Sequence, residues 1–267
     1  MCTIGVVFRD SEILTFKQCD LIPQTQFNEP QVKAGENGVG SYIAMTRANT
    51  KGIWAGVNDK GISFVAVDSY TTTSANYYST SDEANKLFDA YEGSISKHNN
   101  ARDAANFLID FYRESRFSAP DISMITGWAD SAKTQPISIL IEYMPNPYNF
   151  DCVRTIERTE GHFSNTNNFR LQPNSVDYPA NHSTYLRLQR AEQLLQQDPS
   201  EQGIKTVLTD EYYGKTELSI CRSAYQGHSE FHTQATAFFK ASIKGKPTCE
   251  FQINGNPKNN PLKPFSW

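Results

Sequence analysis

Near its start the chain reads CTIGVVF, residues 2–8. Its short apolar run after Cys2 predicts one buried β-strand. Cys2 directly follows Met1, and initiator methionine is usually removed when the second residue is small. Removal would leave a thiol and a free α-amine on the same residue, and that pair can be a nucleophile with its own base. The alternative is that Cys2 is a buried, inert thiol that packs as a small apolar residue.

The length, composition and net charge are those of an ordinary globular protein. Its 267 residues, 38% hydrophobic and 20% charged, predict a single domain spanning residues 1–267 and are typical of a soluble enzyme. The formal net charge is −4, acidic residues are scattered, and no basic stripe is present. Nucleic acid is therefore not expected as a partner.

Membrane association and secretion are also not expected. No apolar run approaches the roughly 18 residues of a membrane span, and the N-terminus lacks the basic and long apolar regions of a signal peptide. The five cysteines are odd in number and widely spaced, without a CxxC pair. That pattern favours a reducing compartment over a disulfide scaffold or a structural zinc site, and predicts a cytoplasmic protein.

The pattern along the chain predicts strands, then helices, then strands again. A hairpin is predicted from GIWAGVN and ISFVAV around Asp59-Lys60-Gly61, and Asn99 or Asn100 is predicted to cap a helix. Gly35 to Gly40 has cradle-like glycine spacing but no Lys-Ser/Thr pair, so a surface loop is predicted. Further strands are predicted at residues 121–128, 136–144, 151–158, 232–243 and 246–255, and helices at 82–95, 99–115, 183–197 and 201–212. Helices inserted between sheet strands indicate a layered α+β architecture.

The segment TFKQCDL, residues 15–21, supplies the first expected partners of Cys2. A strand returning beside the first one would bring Lys17 and Asp20 near the thiol. A cation there favours the thiolate, and a carboxylate can orient an α-amine. The alternative is that both residues lie at a polar strand end on the surface.

These residues resemble the linear-amide hydrolases of the N-terminal-nucleophile class. That group includes choloylglycine hydrolases, penicillin V acylases and the acyl-CoA:6-aminopenicillanate acyltransferase branch. The shared elements are an N-terminal MCT followed by a cation-x-x-Asp element. Lys17 stands where the bile-salt branch would have arginine, and the element is one residue shorter. Lysine cannot make the forked contact of a guanidinium, so contacts there are expected to differ.

Three further stretches match the same group in order. GVNDKG at 56–61 resembles its Gly-x-Asn-x-x-Gly turn, which implies an oxyanion-hole role for Asn58. HFSNTNNF at 162–169 implies that Asn167 is the second such group. STYLRLQRAEQLL at 183–195 resembles the helix that carries the family's arginine, whereas the last seventy residues match more loosely, through ICRSA. The resemblance implies a four-layer αββα sandwich of two antiparallel sheets flanked by helices.

Elementary chemistry refines these assignments. Side-chain amides such as those of Asn58 and Asn167 suit an oxyanion hole, although Asn is also common in turns. At 100° per residue, an apolar arc of the helix is predicted from Tyr185, Leu188, Ala191 and Leu195. Arg187 lies at the edge of that arc and is the candidate to reach inward, whereas Arg190 lies further round and is predicted to be a solvated charge.

Other candidates carry weaker signals. The segment HSEFH holds His228, Glu230 and His232, but it is not HExxH and lacks a third ligand, so no metal is expected. Cys19 is predicted to be a packed or partly exposed thiol. An acyl pocket could be lined by aromatic residues, although packing is their default interpretation; these are Phe64, Tyr70, Tyr77 and Tyr78.

Together the patterns predict an amidohydrolase in which Cys2 cleaves a linear amide through a thioester. One alternative is an acyltransferase that passes the same acyl group to an amine; another is an inactive binding protein of the same fold. A glutamine amidotransferase is disfavoured because no synthase-like domain follows. We expect no cofactor and, as the partner, a small-molecule amide or acyl substrate. The sequence leaves the substrate's identity and homo-oligomerisation open.

Overall fold

The computed structural model describes residues 2–48, 50–69, 81–115, 119–145, 152–172, 178–223 and 231–267. The first half of the chain alternates strands and then adds two helices: β1 (Cys2–Arg9), β2 (Glu12–Leu21), β3 (Gln31–Ala34), β4 (Ser41–Thr46), β5 (Ile53–Asn58), β6 (Ser63–Asp68), α1 (Ser81–Ser96) and α2 (Ala101–Ser115). The second half continues with β7 (Asp121–Trp128), β8 (Pro136–Tyr143), β9 (Val153–Arg158), β10 (His162–Asn165), α3 (Ser183–Gln197), α4 (Glu201–Leu208), β11 (His232–Ser242), β12 (Thr248–Ile253) and β13 (Lys263–Phe265).

The strands form two antiparallel sheets. One has the order β10-β1-β2-β11-β12-β13, and the other has the order β3-β4-β5-β6-β7-β8-β9. Strand β1 is therefore an inner strand of the first sheet, hydrogen-bonded on one side to β2 and on the other to β10. This position explains why its residues are apolar on both faces, since both faces are covered.

Four layers follow from the way the elements pack. Helices α1 and α2 cover the outer face of the seven-stranded sheet, and α3 and α4 cover the outer face of the six-stranded sheet. The largest core lies between the sheets and includes Cys2, Ile4, Val57 and Val65. Among the described residues, no helix has the length and apolar composition needed to cross a bilayer. The observed layering confirms the α+β architecture predicted from the sequence pattern and the αββα sandwich implied by the family resemblance.

The hairpin of β1 and β2 sets the orientation of Cys2. Arg9 pairs with Glu12 across the two-residue turn, and the register runs without a shift to the pair Cys2–Cys19. The pair that closes such a turn is hydrogen-bonded, and pairs then alternate. Cys2 is seven residues from Arg9 along β1, and an odd number of steps from a hydrogen-bonded pair leads to a non-hydrogen-bonded one. Cys2–Cys19 is therefore a non-hydrogen-bonded pair. The N–H and C=O of Cys2 consequently point away from β2, whereas its side chain lies close to that of Cys19.

Most of the predicted elements are confirmed, with differences at their ends. The second hairpin forms with Gly61 at φ 86°, a conformation that glycine adopts without strain. Asn100 caps α2, because its Oδ1 accepts the Asp103 N–H at 2.9 Å. Strand β2 continues through the polar residues up to Leu21, since they are buried between neighbouring strands. The three-residue β13 carries too short a pattern to be predicted.

The predicted rotation of α3 is correct for Arg187 and wrong for part of the apolar arc. Arg187 and Ala191 are buried, but Tyr185 and Leu188 are only partly buried. Leu194 and Leu195 complete the buried face. The buried stripe is thus rotated relative to the predicted arc, because α3 buries the polar start of its inner face against the first residues of β1.

Arg190 is not the solvated charge that the periodicity predicts. Its Nε and Nη2 donate to Asp210 Oδ1 at 3.0 and 2.9 Å, and its guanidinium lies 4.4 Å from the Tyr212 ring centroid. The Arg190 side chain is 19% exposed and that of Asp210 is 6% exposed. The pair joins α3 to the segment after α4. A helical wheel describes one helix alone and therefore could not predict this contact.

We predict that Arg190→Ala lowers the free energy of unfolding by about 1–3 kcal/mol, because Asp210 would stay buried without its cation. Urea unfolding measures the change. The matched control is Arg102→Ala, which removes an exposed helix-borne ion pair with Glu157 and should cost less than about 0.5 kcal/mol. Equal, small losses for both variants would contradict a structural role for the Arg190–Asp210 pair.

Candidate active site

The backbone of Cys2 is held by two side chains from outside its own hairpin. Its N–H donates to Asn167 Oδ1 at 2.9 Å, and its C=O accepts from Arg187 Nη1 at 2.6 Å. Both groups point away from β2 because of the Cys2–Cys19 pairing. The segment after β10 and the helix α3 therefore occupy the side of Cys2 that the strand register leaves open.

Asn167 connects three parts of the fold. Its Oδ1 accepts from Cys2 and also from Arg187 Nη2 at 2.9 Å, while its Nδ2 donates to the Asp68 carbonyl at 2.6 Å. Its backbone N–H donates to Thr184 Oγ1 at 3.1 Å. One buried amide thus joins the start of β1, the start of α3 and the end of β6 in the opposite sheet.

Arg187 reaches inward, as the helical periodicity predicted. Its side chain is fully buried, and besides Cys2 and Asn167 it donates to Thr3 Oγ1 and Ser183 Oγ, both at 3.2 Å. A guanidinium suits this position because its donors are arranged in a rigid planar fork. Arg187 therefore fixes both the first residue of β1 and the amide that faces it.

The thiol of Cys2 lies on the face of the hairpin that looks between the sheets. A hydrogen bond with Cys19 lowers the pKa of Cys2 to about 5; burial opposes this shift and the Lys17 cation supports it. Burial raises the pKa of Cys19 well above its ordinary value, and the hydrogen bond with Cys2 adds to that shift. The pKa values of the two facing thiols are thus shifted in opposite directions, down for Cys2 and up for Cys19.

Lys17 lies two residues before Cys19 on the same face of β2, and its charge lowers the pKa of Cys2. Burial acts to lower the pKa of Lys17, but its interactions with Cys19, Cys2 and Asp68 outweigh burial and raise that pKa. Its Nζ donates to the Ala66 carbonyl and lies 5.2 Å from the Trp54 ring centroid. The structure thus brings Lys17 to Cys2, as expected from the returning strand.

Asp20 lies beside Cys19 in sequence, and it contacts Thr233 in β11 and Arg222 in the segment after α4. Its Oδ2 is 3.3 Å from Arg222 Nε, and its Oδ1 accepts from Thr233 Oγ1 at 2.7 Å. Arg222 Nη2 in turn donates to Ser183 Oγ at 2.8 Å, the same oxygen that Arg187 contacts. Asp20 is therefore linked through Arg222 and Ser183 to Arg187, which binds the Cys2 carbonyl.

Arg222 and Asp68 are site residues that the sequence did not single out. Arg222 lies in the stretch ICRSA, which matched the family only loosely, and it is buried with its carboxylate partner Asp20. Asp68 ends β6, and its charge acts on both Cys2 and Lys17. The only available signal for Asp68 was a polar residue directly after an apolar strand, which is a common strand end.

The structure corrects the assignment of Asn58. Its Nδ2 donates to the carbonyls of Ile95 and His98, both at 2.8 Å, and its Oδ1 accepts from the N–H groups of Lys60 and Ile62, both at 3.0 Å. Both amide hydrogens are therefore used to hold the end of α1 against the hairpin of β5 and β6. Asn58 supports the turn and is not retained among the residues we propose for catalysis.

The candidates for an acyl pocket and for a metal site lie partly inside and partly outside the described residues. Phe64 is buried in the core under α1 and packs on the Tyr91 ring at 4.5 Å between centroids, in agreement with its default interpretation. Within the described ranges no three His, Cys, Asp or Glu side chains are grouped as a metal site requires. The remaining candidates lie outside the described residues: Tyr70, Tyr77, Tyr78, His228 and Glu230.

We predict that Asn58→Ala lowers the free energy of unfolding by about 2–4 kcal/mol, because it leaves several buried backbone groups without partners. Urea unfolding measures this loss. The rate of Cys2 alkylation in the folded protein should not change. The matched control is Asn99→Ala, at the exposed position that follows His98, which should be nearly neutral. A stable Asn58→Ala with slowed Cys2 alkylation would restore Asn58 to the site.

We also predict that Cys2 is the first cysteine to be alkylated as pH rises from 4. Its thiolate should form as the pH passes about 5, whereas burial raises the pKa of both Cys221 and Cys249 to about 12. Iodoacetamide labelling followed by peptide mapping measures each rate. Lys17→Met should move the Cys2 profile to higher pH, because a cation that favours the thiolate is lost. Preferential labelling of Cys152 or Cys249 would contradict the assignment.

Comparisons with known proteins support the fold. No protein-family profile and no curated protein matches the sequence. The structure is similar to that of a Caenorhabditis elegans N-acylethanolamine-hydrolyzing acid amidase ortholog, with a TM-score of 0.51 and 14% identity over 89% of this chain and 92% of that chain. It is also similar to conjugated bile acid hydrolase from Clostridium perfringens, solved as a cysteine-to-alanine and as an arginine-to-leucine variant. Each gives a TM-score of 0.54 and 12% identity over 100% of this chain and 97% of that chain. The chain therefore has the N-terminal-nucleophile hydrolase fold that its motifs resemble.

Proposed function

We propose that the protein is an amidohydrolase that cleaves a linear amide with Cys2 as nucleophile, once Met1 has been removed. The observation that carries this proposal is the contact between the Cys2 nitrogen and Asn167 Oδ1 at 2.9 Å. In the processed chain that nitrogen is an α-amine, and Asn167 would accept one of its hydrogens and orient it. The amine, with an ordinary pKa of about 7.7–8.0, is then next to the thiol whose proton it would hold.

The chemistry would proceed through a thioester. The Cys2 sulfur attacks the amide carbonyl, a C–S bond forms, and the carbonyl electrons move onto oxygen. Collapse of this adduct breaks the C–N bond, and the α-ammonium gives its proton to the leaving nitrogen. Water, deprotonated by the same amine, then attacks the thioester and releases the acid together with Cys2.

Each surrounding residue would contribute a separable part. Lys17 keeps the sulfur ionised, and Asn167 Nδ2 carries a second hydrogen that can be donated to the oxyanion while the first stays on the Asp68 carbonyl. Arg187 would hold the Cys2 carbonyl in place. Asp20 would act as a positioning residue through Arg222 and Ser183, since those contacts lead to Arg187.

The compared proteins favour amide cleavage over the inactive alternative. One is named for hydrolysis of N-acylethanolamines and the other for hydrolysis of conjugated bile acids, and both substrates are N-acyl amides. The anionic thiol, the cation beside it and the amide facing its nitrogen are the groups such a reaction needs. A protein that only binds a ligand would gain nothing from keeping a buried thiolate, since burial disfavours it.

The test combines intact mass with turnover. We expect the purified protein to lack Met1 and to release amine from a panel containing an N-acylethanolamine, a conjugated bile acid and short N-acyl amides. Cys2→Ala should abolish release and prevent any acyl adduct, and Asn167→Ala should lower kcat by roughly 10²–10³.

The matched control is Cys249→Ala, which removes another buried thiol and should leave kcat unchanged. Wild-type turnover by Cys2→Ala would refute the mechanism. Retention of Met1 in active protein would refute the role of the α-amine. Transfer of the acyl group to an added amine, faster than to water, would identify an acyltransferase instead.

A further inference from the structure

We propose that Cys2 and Cys19 are an oxidative modification site at which a peroxide converts the two thiols to a reversible disulfide. The bond would join the first residue of β1 to its partner on β2. Loss of amide cleavage on oxidation rests on the proposed function, because it requires Cys2 to be the nucleophile. Formation of the bond itself does not depend on that function.

The strand register places the two thiols within reach of each other. Cys2 and Cys19 are opposite one another in β1 and β2, and both are fully buried. They form a non-hydrogen-bonded pair, in which Cα atoms lie about 4.5 Å apart and side chains are close. Disulfides span Cα distances of about 4.4–6.8 Å, so this pair can be bridged without moving either strand far.

The contacts of Cys2 confirm the type of pairing independently. In a hydrogen-bonded pair its N–H and C=O would bind Cys19, but they bind Asn167 and Arg187 instead. The thiols are also joined by a hydrogen bond that shifts the pKa of both. The remaining cysteines lack this arrangement: Cys249, for example, is opposite Phe265 in its strand pair.

The reaction balances with a hydroperoxide as oxidant. The Cys2 thiolate attacks one peroxide oxygen, an S–O bond forms, the O–O bond breaks and hydroxide or alkoxide leaves, so that sulfur is oxidised and the peroxide reduced. The Cys19 sulfur then attacks the Cys2 sulfenic acid after losing its proton. An S–S bond forms, the S–O bond breaks and water is released.

The charges around the pair favour this order of events. The lowered pKa of Cys2 favours the thiolate that reacts with peroxide, whereas the raised pKa of Cys19 keeps that thiol protonated and unreactive at first. Once Cys2 becomes a neutral sulfenic acid, its negative charge no longer raises the pKa of Cys19. Lys17 and Arg47 then act on Cys19 as nearby cations that favour its thiolate. Oxidation of the first thiol thus prepares the second one to attack.

The decisive experiment is a peptide map of the folded wild-type protein after hydrogen peroxide treatment, without reductant. We expect the protein to lose the mass of two hydrogen atoms, to yield one cross-linked peptide containing Cys2 and Cys19, and to regain both thiols with dithiothreitol. Addition of two or three oxygen atoms to Cys2 with Cys19 still reduced would overturn the proposal. A bridge between any other pair of cysteines would also overturn it.

Two variants sharpen the result. Cys19→Ser should accumulate oxygen adducts on Cys2 that dithiothreitol does not reverse, whereas Cys221→Ser should still form the Cys2–Cys19 bond. Circular dichroism checks that both fold, and the wild-type map decides the question even if one does not. The mass readout separates this proposal from the previous one, since the bond can be found in a protein that cleaves no tested amide. Likewise, active protein that forms no bond would refute only the disulfide.

Discussion

The pairing of Cys2 with Cys19 across β1 and β2 is the constraint on which the site depends. Because the pair is not hydrogen-bonded, the polar backbone groups of Cys2 must find partners outside the hairpin. They find Asn167 and Arg187. A change of register by one residue would turn the Cys2 thiol toward the helices and remove both contacts, since side chains alternate between the faces of a strand.

The site also requires both sheets. Lys17 and Asn167 belong to elements of the six-stranded sheet or its flank, yet they donate to the carbonyls of Ala66 and Asp68 at the end of β6. These contacts link the two facing sheets beside the Cys2 thiol. Apolar side chains in place of Lys17 and Asn167 would leave the two backbone carbonyls without a donor. The contacts that hold the two sheets together therefore also fix the geometry of the site.

Buried charge is concentrated in this region. Asp20 pairs with Arg222, and Lys17 lies beside the Cys2 thiolate. Buried ion pairs are weak sources of stability, because the loss of hydration offsets their attraction. Lys17 has a second effect, since its charge lowers the pKa of the Cys2 thiol, and perturbed groups of this kind gather at functional sites. The same charges that would make Cys2 a nucleophile toward an amide make it reactive toward a peroxide.

Features with a local cause could be predicted from the amino-acid sequence. The apolar run after Cys2 predicted a buried strand, the turn at Gly61 predicted a hairpin, and the spacing along α3 predicted that Arg187 faces inward. Family motifs led to Asn167 and to the sandwich, and the fold comparison supports the latter. Each of these inferences needs only neighbouring residues or an ordered set of short motifs.

Contacts between residues far apart in the chain depend on how the strands and helices pack, and they could not be predicted from the sequence. Asn58 and Asn167 both occur in motifs that predicted an oxyanion role, but Asn58 is used to hold the end of α1. Arg222 could not be linked to Asp20 from sequence, because the two are about two hundred residues apart and meet through the β2–β11 pairing. The facing of Cys2 and Cys19 likewise depends on the length of one turn, since inserting a single residue there would separate the two thiols.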